Sequence, residues 1–260
     1  MKYQFTKIAV KIGSNVLTRK DGTLDVTRMS ALTDQVAELH KRSVEVILIS
    51  SGAVASGRSE IRSSHTLDEV SSRQLYSAIG QAKLMGKYYT MFREHGIICG
   101  QVLTTKESLD KADHYQNQQH CMEVMLSEGV VPIVNENDTL SITELMFTDN
   151  DELSGLMAEM MSVDLLVILS NIDGVYDGHP DDERSRVIRR VGAEEELSQY
   201  IKSEKSSCGR GGMITKCSVA RRVASEGIPV VIANGMSENI LLNIVDNREE
   251  TICTRFEVSQ

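Results

Sequence analysis

The segment Val130-Val-Pro-Ile-Val-Asn-Glu-Asn-Asp138 joins a short apolar run to an abrupt cluster of acids and amides. Residues 130–134 have the length and the β-branched content of a buried strand. A second polar cluster, Asp149-Asn-Asp-Glu152, follows and leads into a helical pattern. Because ligands of open α/β sheets bind beyond the carboxyl ends of the strands, the two clusters predict a polar ligand site there. The acids would face a metal, a cationic substrate or the protein's own lysines.

Apolar runs and amphipathic stretches alternate on both sides of this segment. Buried strands are also predicted at 8–12, 46–49, 97–103, 164–169 and 228–233. Helices are predicted at 27–42, 69–94, 152–161, 213–225 and 237–245. A short strand in a hairpin is expected at 187–191, and an edge strand at 251–257. The alternation predicts an α/β fold, a three-layer αβα sandwich with a mainly parallel central sheet, in a single domain spanning 1–260.

The composition narrows the class of protein. The chain has 260 residues, of which 41% are hydrophobic, as in a globular protein. A formal net charge of −9 argues against nonspecific binding to nucleic acid or to an anionic membrane. No apolar run approaches a membrane span, and the N-terminus lacks the apolar core of a signal peptide. Five scattered cysteines without a C-x-x-C pair predict reduced thiols in a cytoplasmic protein.

A glycine-rich turn is the clearest signal for a phosphate ligand. The sequence Gly209-Arg-Gly-Gly-Met-Ile-Thr-Lys216 opens a helical pattern. Successive glycines expose backbone N–H groups, and the start of the helix adds the positive end of its dipole. Since helical side chains tilt back toward the N-terminus, Lys216 can reach an anion held by the glycines. The spacing fits neither a Walker A loop nor G-x-G-x-x-G, and a flexible surface loop is the alternative.

Two further strand ends carry candidate ligands. Lys11 lies inside the first apolar run, either as a snorkelling lysine of an edge strand or aimed at an anion. The second strand runs into Ser50-Ser-Gly-Ala53, whose small residues let a ligand approach the backbone, unless they form a plain capped turn. Phosphoryl transfer needs positive charge over the migrating group, which Lys11 and Lys216 could supply. Asp149 and Asp151 would then hold these lysines or Mg²⁺, or would cap a helix.

Taken together, these motifs resemble the amino acid kinase family. The resemblance spans about residues 7–255 and is carried by motifs in a fixed order. They are Val10-Lys-Ile-Gly-Ser14, Ser50-Ser-Gly-Ala53, Ala78-Ile-Gly-Gln-Ala82, Gln101-Val-Leu103, Asn135-Glu-Asn-Asp138, Asp149-Asn-Asp151 and Gly211-Gly-Met-Ile-Thr-Lys216. The closest resemblance is to members that transfer the γ-phosphoryl group of ATP to the side-chain carboxylate of L-glutamate, the first step of proline biosynthesis. Alternatives are another acceptor with a carboxylate, carbamate or phosphate group, or a non-catalytic nucleotide sensor.

The resemblance implies a role for each matching residue. Lys11 and Lys216 would stabilise the transferred phosphoryl group, and Asp149, with Asp151, would position the lysines. Glutamate would be bound by Ser51, Asp138 and Asn150, with Gly52 and Glu136 nearby. The nucleotide would be contacted by Lys11, Ser170, Asn171, Arg210, Gly211, Gly212, Met213, Ile214, Thr215 and Lys216. Mg²⁺ would arrive on ATP rather than in a cage of protein ligands. The N-terminal part would bind the acceptor, and residues from about 160 to 260 the nucleotide.

Three features depart from the family pattern. Asn171 stands where many members have aspartate, which affects the adenine side. Arg210 replaces a small residue before the glycines and adds a charge near the phosphates. The sequence ends at Gln260, so a C-terminal PUA domain, common in the family, is not expected. The resemblance further implies a homodimer or homotetramer and feedback inhibition by proline.

Overall fold

The computed structural model describes residues 5–61, 66–140, 149–192 and 212–258. Its strands are β1 (Lys7–Ile12), β2 (Glu45–Ser50), β3 (Ile98–Thr104), β4 (Val130–Glu136), β5 (Leu165–Ser170), β6 (Arg190–Val191), β7 (Val230–Asn234) and β8 (Cys253–Phe256). They form one sheet in the order β3-β4-β2-β1-β5-β7-β8-β6. All pairs are parallel except β7 with β8.

The helices are α1 (Ser14–Leu17), α2 (Val26–Lys41), α3 (Ala53–Arg58), α4 (Glu69–Glu94), α5 (Lys106–Asp110), α6 (Ala112–Ser127), α7 (Asn150–Met160), α8 (Met213–Ser225) and α9 (Ile240–Val245). Asp25, Asp68 and Asp149 cap α2, α4 and α7 by accepting from backbone N–H groups of the first turn. No helix in the described part of the chain is long and apolar enough to cross a membrane.

Two separate hydrophobic cores cover the faces of the sheet. One joins the sheet to α2, α4 and α9 through residues such as Leu32 and Tyr88. The other joins it to α6, α7 and α8 through residues such as Met122 and Met157. Strands buried on both faces need apolar residues at every position, which explains the continuous apolar runs in the sequence. The predicted three-layer sandwich with a mainly parallel sheet is confirmed.

The strand order resolves some expectations and corrects others. β1 pairs with β2 on one side and β5 on the other, so Lys11 lies on a central strand and not at an edge. The predicted edge strand β8 instead lies between β7 and β6. Within the predicted hairpin strand, Val187 forms an antiparallel bridge with Tyr176, and residues 190–191 form β6, which pairs parallel with β8. The position of β8 was predicted wrongly because the partner of a short strand depends on contacts distant in sequence.

Two glycines set the close approach of α3 to α4. A Cβ atom on Gly80 would lie 1.8 Å from the carbonyl oxygen of Ala53, and one on Gly57 would lie 1.9 Å from that of Tyr76. Any larger residue would therefore push the two helices apart. This contact fixes α4 beside the turn after β2, with its first turns close to the carboxyl end of β4.

Candidate active site

Three charged side chains meet at the carboxyl end of β1. Asp151, in the first turn of α7, is fully buried and forms ion pairs with Lys11 of β1 and Lys216 of α8. The Lys216 Nζ to Asp151 Oδ2 distance is 2.9 Å. We call Lys11, Asp151 and Lys216 the phosphoryl cluster. It joins strand β1 and helices α7 and α8, which come from three distant parts of the sequence.

The phosphoryl cluster has one more cation than anion. Burial by itself raises the pKa of Asp151, but the charges of Lys11 and Lys216 lower it below its ordinary value of 3.8. One ionised carboxylate therefore holds two buried lysines side by side, and a net positive charge remains. Such a preorganised positive site is what an anion entering a water-poor cleft requires.

Asp149 is the N-cap of α7. Its Oδ1 accepts hydrogen bonds from the backbone N–H groups of Asp151 at 2.8 Å and Glu152 at 3.0 Å. The direct contacts with the lysines belong to Asp151, and the expected role of Asp149 in positioning the lysines stays a prediction. A helix start turns these two carboxylates in different directions, because the cap residue has extended backbone and the next residues are helical.

The electrostatic environment of Asp149 also differs from that of Asp151. Burial, followed by the neighbouring charge of Asp151, raises its pKa above the ordinary value of 3.8. The second carboxylate oxygen, Oδ2, is buried and has no hydrogen-bond partner among the described residues. The pKa values of two acids separated by one residue are therefore shifted in opposite directions, since of the two only Asp151 forms ion pairs with the lysines.

A second charged group lies at the carboxyl end of β4. Arg73, from the second turn of α4, donates from Nε to Asp138 Oδ1 at 2.5 Å and from Nη2 to Glu136 Oε2 at 2.8 Å. Both carboxylates are buried, whereas the Arg73 side chain retains 19% of its exposure. We call Arg73, Glu136 and Asp138 the acceptor cluster. Two acids and one base leave it with a net negative charge.

Two asparagines connect the clusters. Asn150, which precedes Asp151, has its Nδ2 within 3.2 Å of Asn135 Oδ1, 3.0 Å of Ser51 Oγ and 3.1 Å of the Ser50 carbonyl oxygen. Asn135 precedes Glu136 and donates from Nδ2 to Gln81 Oε1 at 3.0 Å. The predicted glutamate ligands Ser51, Asp138, Asn150 and Glu136 are thus gathered at neighbouring strand ends, with Gly52 at the start of α3.

The predicted nucleotide residues lie beyond β5 and at the start of α8. Ser170 ends β5 and is buried, and the next residue, Asn171, is exposed. Gly212 is the N-cap of α8, Lys216 is buried in its first turns, and Ile214 is half exposed. Met213 and Thr215 lie between them in the same helix. Arg210 and Gly211 lie outside the described residues.

Close backbone packing keeps the space beside Lys11 open. Gly13 follows β1, and a Cβ atom there would lie 2.9 Å from the Leu169 carbonyl oxygen and 3.8 Å from Lys11 Nζ. A larger residue would thus collide with β5 and crowd the lysine. On the far side of β5, the backbone N–H of Gly235 donates to the Ser170 carbonyl oxygen at 2.8 Å. These contacts fix the strand ends that carry Lys11 and Ser170.

Two side chains at the site were not predicted from the sequence as ligands. They are Arg73 and Gln81. Arg73 gave one weak signal, because a cation in the second turn of a helix opposes the helix dipole and needs an outside partner. Nothing near Arg73 in the sequence identifies that partner, since Asp138 is 65 residues away.

The fold and the two clusters define a class of phosphotransferase, and the comparisons agree. The sequence model of the amino acid kinase family matches residues 6–234. The chain therefore belongs to the amino acid kinase family. The structure of UMP kinase from Bacillus anthracis resembles this chain with a TM-score of 0.66, covering 98% of this chain and 97% of that one. At 14% sequence identity, this likeness shows the fold alone.

Curated relatives narrow the family further. Glutamate 5-kinase of Bacteroides thetaiotaomicron is 64% identical over 256 residues, which are 98% of this chain and 71% of that protein. Glutamate 5-kinase of Chlorobaculum tepidum is 46% identical over 241 residues, 92% of this chain and 66% of that protein. Within the family, the chain thus belongs with the glutamate 5-kinases. It spans about two thirds of the length of these relatives.

The acids at the site do not form a group suited to enclose a metal ion. Within the described ranges, no three His, Cys, Asp or Glu side chains are close enough to hold one together. Asp151 is committed to two lysines, and Glu136 and Asp138 to Arg73. Such a site suits Mg²⁺ that is held chiefly by phosphate oxygens and keeps several waters.

Proposed function

We propose that this chain transfers the γ-phosphoryl group of ATP to the side-chain carboxylate of L-glutamate. The product is L-glutamyl 5-phosphate, and the reaction is the first step of proline biosynthesis. One observation carries the proposal: a net positive cluster and a net negative cluster are joined by the Asn150 and Asn135 amides. The names of the relatives support the same reaction.

The phosphoryl cluster would act on the nucleotide. In the reaction, an oxygen of the acceptor carboxylate forms a bond to the γ-phosphorus, and the bond from that phosphorus to the β,γ-bridging oxygen breaks to release ADP. Lys11 and Lys216 would stabilise the negative charge spread over the migrating group. Asp151 would keep the two ammonium groups in place, so that little reorganisation is needed during transfer.

The acceptor cluster would recognise the amino-acid end of L-glutamate. Its surplus negative charge suits the α-ammonium, which Asp138 would bind with Glu136 nearby. Ser51 and Asn150 lie between the clusters and would hold the acceptor with its side-chain carboxylate toward the lysines. A phosphate acceptor would be repelled by the buried acids Glu136 and Asp138, which argues against a nucleoside monophosphate as substrate.

The nucleotide would lie over the second half of the sheet. Ser170 and Asn171 at the end of β5 and the start of α8, from Gly212 to Lys216, would contact ATP. Arg210 and Gly211 would contribute to the same contacts, as the family resemblance implies. The first half of the chain would then bind the acceptor, and residues from about 160 to 260 the nucleotide. When bound with ATP, Mg²⁺ supplies positive charge to the phosphate oxygens.

The biological setting is part of the same proposal. A cytoplasmic location is supported by Cys99, Cys121, Cys217 and Cys253, which are free thiols. A homodimer or homotetramer is expected from the family, and light scattering after size exclusion tests it. Feedback inhibition by proline is expected on the same ground and is tested by adding L-proline to the activity assay.

An acyl phosphate trap tests the reaction directly. The purified chain is incubated with ATP, Mg²⁺, L-glutamate and hydroxylamine, which converts an acyl phosphate into a coloured hydroxamate. We expect glutamyl hydroxamate to form only when ATP and L-glutamate are both present, with ADP released in equal amount. ADP release with another carboxylate or with UMP, and none with L-glutamate, would overturn the choice of acceptor.

A further inference from the structure

We propose that Arg73 binds the α-carboxylate of the acceptor and so selects α-amino acids over amines that lack this group. The inference rests on the proposed function, because it concerns how the same site holds L-glutamate. Arg73 belongs to α4, outside the motif residues assigned to the acceptor, and it came to notice only through its contacts.

Arg73 stands between the acceptor cluster's two acids and the solvent. Its Nε and Nη2 contact Asp138 and Glu136, which are buried, while its own side chain is 19% exposed. A ligand entering the cluster from outside would therefore meet the guanidinium and the two carboxylates together. In the absence of a ligand, Arg73 compensates two buried acids that would otherwise repel each other.

The chemistry of the acceptor requires a cation at this place. The ammonium and the α-carboxylate of an amino acid are attached to one carbon atom, so an ammonium beside Asp138 brings the α-carboxylate into the same cluster. Without a cation, that carboxylate would face Glu136 and Asp138 and be repelled. The planar guanidinium of arginine is suited to this task, because it can offer two parallel N–H groups to a carboxylate.

Binding would exchange partners without leaving a buried charge alone. The incoming ammonium takes over part of the pairing with Asp138 and Glu136, and Arg73 turns N–H groups toward the α-carboxylate. The head of the amino acid is neutral overall, so the net charge of the cluster does not change. Lys11 and Lys216 stay with Asp151 and remain available to the phosphoryl group.

A neighbour on α4 points to the same pocket. Gln81, eight residues after Arg73, accepts from Asn135 with its Oε1. Its Nε2 is buried and has no hydrogen-bond partner among the residues the structure describes. Residues 73, 77 and 81 lie four apart, so they share one side of the helix. This side of α4 offers a charged and a neutral donor to a carboxylate between them.

Three ligands separate this role from a purely structural one. L-Glutamate has both carboxylates and the ammonium, glutarate lacks the ammonium, and 4-aminobutyrate lacks the α-carboxylate. The KM for L-glutamate and the competitive inhibition constants of the other two are measured for the wild-type chain and for Arg73→Met. We expect the first two constants to rise about 10- to 100-fold, as for loss of a charge-assisted contact, and that of 4-aminobutyrate not to rise.

The controls keep the test decisive. Arg93→Met removes an arginine from the other end of α4, where it contacts Tyr89 at the surface, and should change none of the constants. The KM for ATP should stay constant in Arg73→Met. If that variant does not fold, Arg73→Lys keeps the positive charge without the two parallel N–H groups and should show smaller changes in the same two constants.

Two results would overturn the role of Arg73. One is an equal rise of all three constants, which would mean that Arg73 only shapes the cluster. The other is an unchanged KM for L-glutamate. Failure of the proposed function would look different, since the wild-type chain itself would then form no glutamyl hydroxamate.

Discussion

The two charged clusters are built from the same kinds of side chain in inverse proportion. The phosphoryl cluster has two lysines around one carboxylate, whereas the acceptor cluster has two carboxylates around one arginine. Each cluster is buried, and each keeps one unit of surplus charge, of opposite sign. The difference teaches that ion pairing here does not simply neutralise charge. It holds a defined excess, positive for a phosphoryl group and negative for an ammonium.

The largest expected effect is on the stability of the phosphoryl cluster. Asp151→Asn would leave two buried lysines without their carboxylate, and loss of one partner from a buried pair costs about 3–5 kcal/mol. We therefore expect the free energy of unfolding at pH 7 to fall by about that amount, measured by urea denaturation. Asp181→Asn, an exchange at an exposed loop position, should leave stability nearly unchanged.

The pH dependence of the stability of Asp151→Asn gives a second test of the ion pairs. Asp151 has a lowered pKa in the folded protein, so its stabilisation is present above the ordinary value of 3.8 and is lost as the pH falls through the folded pKa. The stability gap between wild type and Asp151→Asn should therefore narrow below pH 3.8. A gap that stays constant down to acid denaturation would contradict the ion pairs.

The next effect is on the rate of phosphoryl transfer. Lys216→Ala removes one of two cations from the phosphoryl cluster, and kcat should fall about 10²-fold or more, as for loss of a preorganised electrostatic group. Lys83→Ala is a matched control, because this lysine pairs with Glu60 on the surface. An unchanged kcat in Lys216→Ala would remove this residue from the chemistry.

The smallest effect distinguishes the two acids at the start of α7. Asp149→Asn keeps the cap, because an amide oxygen accepts the same backbone N–H groups, so stability at pH 7 should change by less than about 1 kcal/mol. The sign of the pH effect is informative. The raised pKa of Asp149 means that its ionisation removes stability as the pH rises from 3.8 through the folded pKa. Relative to wild type, Asp149→Asn should gain stability between pH 3 and pH 7.

Asp68→Asn should show a pH dependence of stability with the opposite sign. Asp68 caps α4, and its hydrogen bonds with the Ser71 side chain and backbone lower its pKa. Removal of this charge should therefore lose stability relative to wild type as the pH rises over the same range. Equal slopes for Asp149→Asn and Asp68→Asn would show that the pKa of Asp149 is not raised in the folded protein.

The fold was largely predictable from the sequence because its strands are buried on both faces. Runs such as 46–49 and 165–169 are apolar at every position, as expected for strands of a parallel sheet that is covered on both faces. The wrong predictions concern features about which the local sequence pattern carries no information. β8 lies inside the sheet because it pairs with β7 on one side and with β6 on the other. Nothing in the sequence of residues 251–257 identifies these two partners.

The residues of the candidate site were easier to predict from the sequence than the contacts between them. Both lysines and the five residues predicted to bind the acceptor were identified from motifs, since small and polar residues interrupt strands at these points, and their roles stay predictions. The choice between Asp149 and Asp151 depends on the direction in which a carboxylate points at a helix start, and this direction differs between the two residues although they are only two positions apart. Arg73 could not be found, because its partners are reached only after α4 has packed against α3.

The most direct test of the division between the clusters compares Asp138→Ala with Lys216→Ala in full steady-state kinetics. Asp138→Ala should raise the KM for L-glutamate by about 10-fold or more, while the KM for ATP is unchanged. Lys216→Ala should lower kcat and leave the KM for L-glutamate much less affected. If Asp138→Ala selectively changed the KM for ATP, or if both variants lowered kcat equally without a change in the KM for L-glutamate, the two clusters would not have separate tasks.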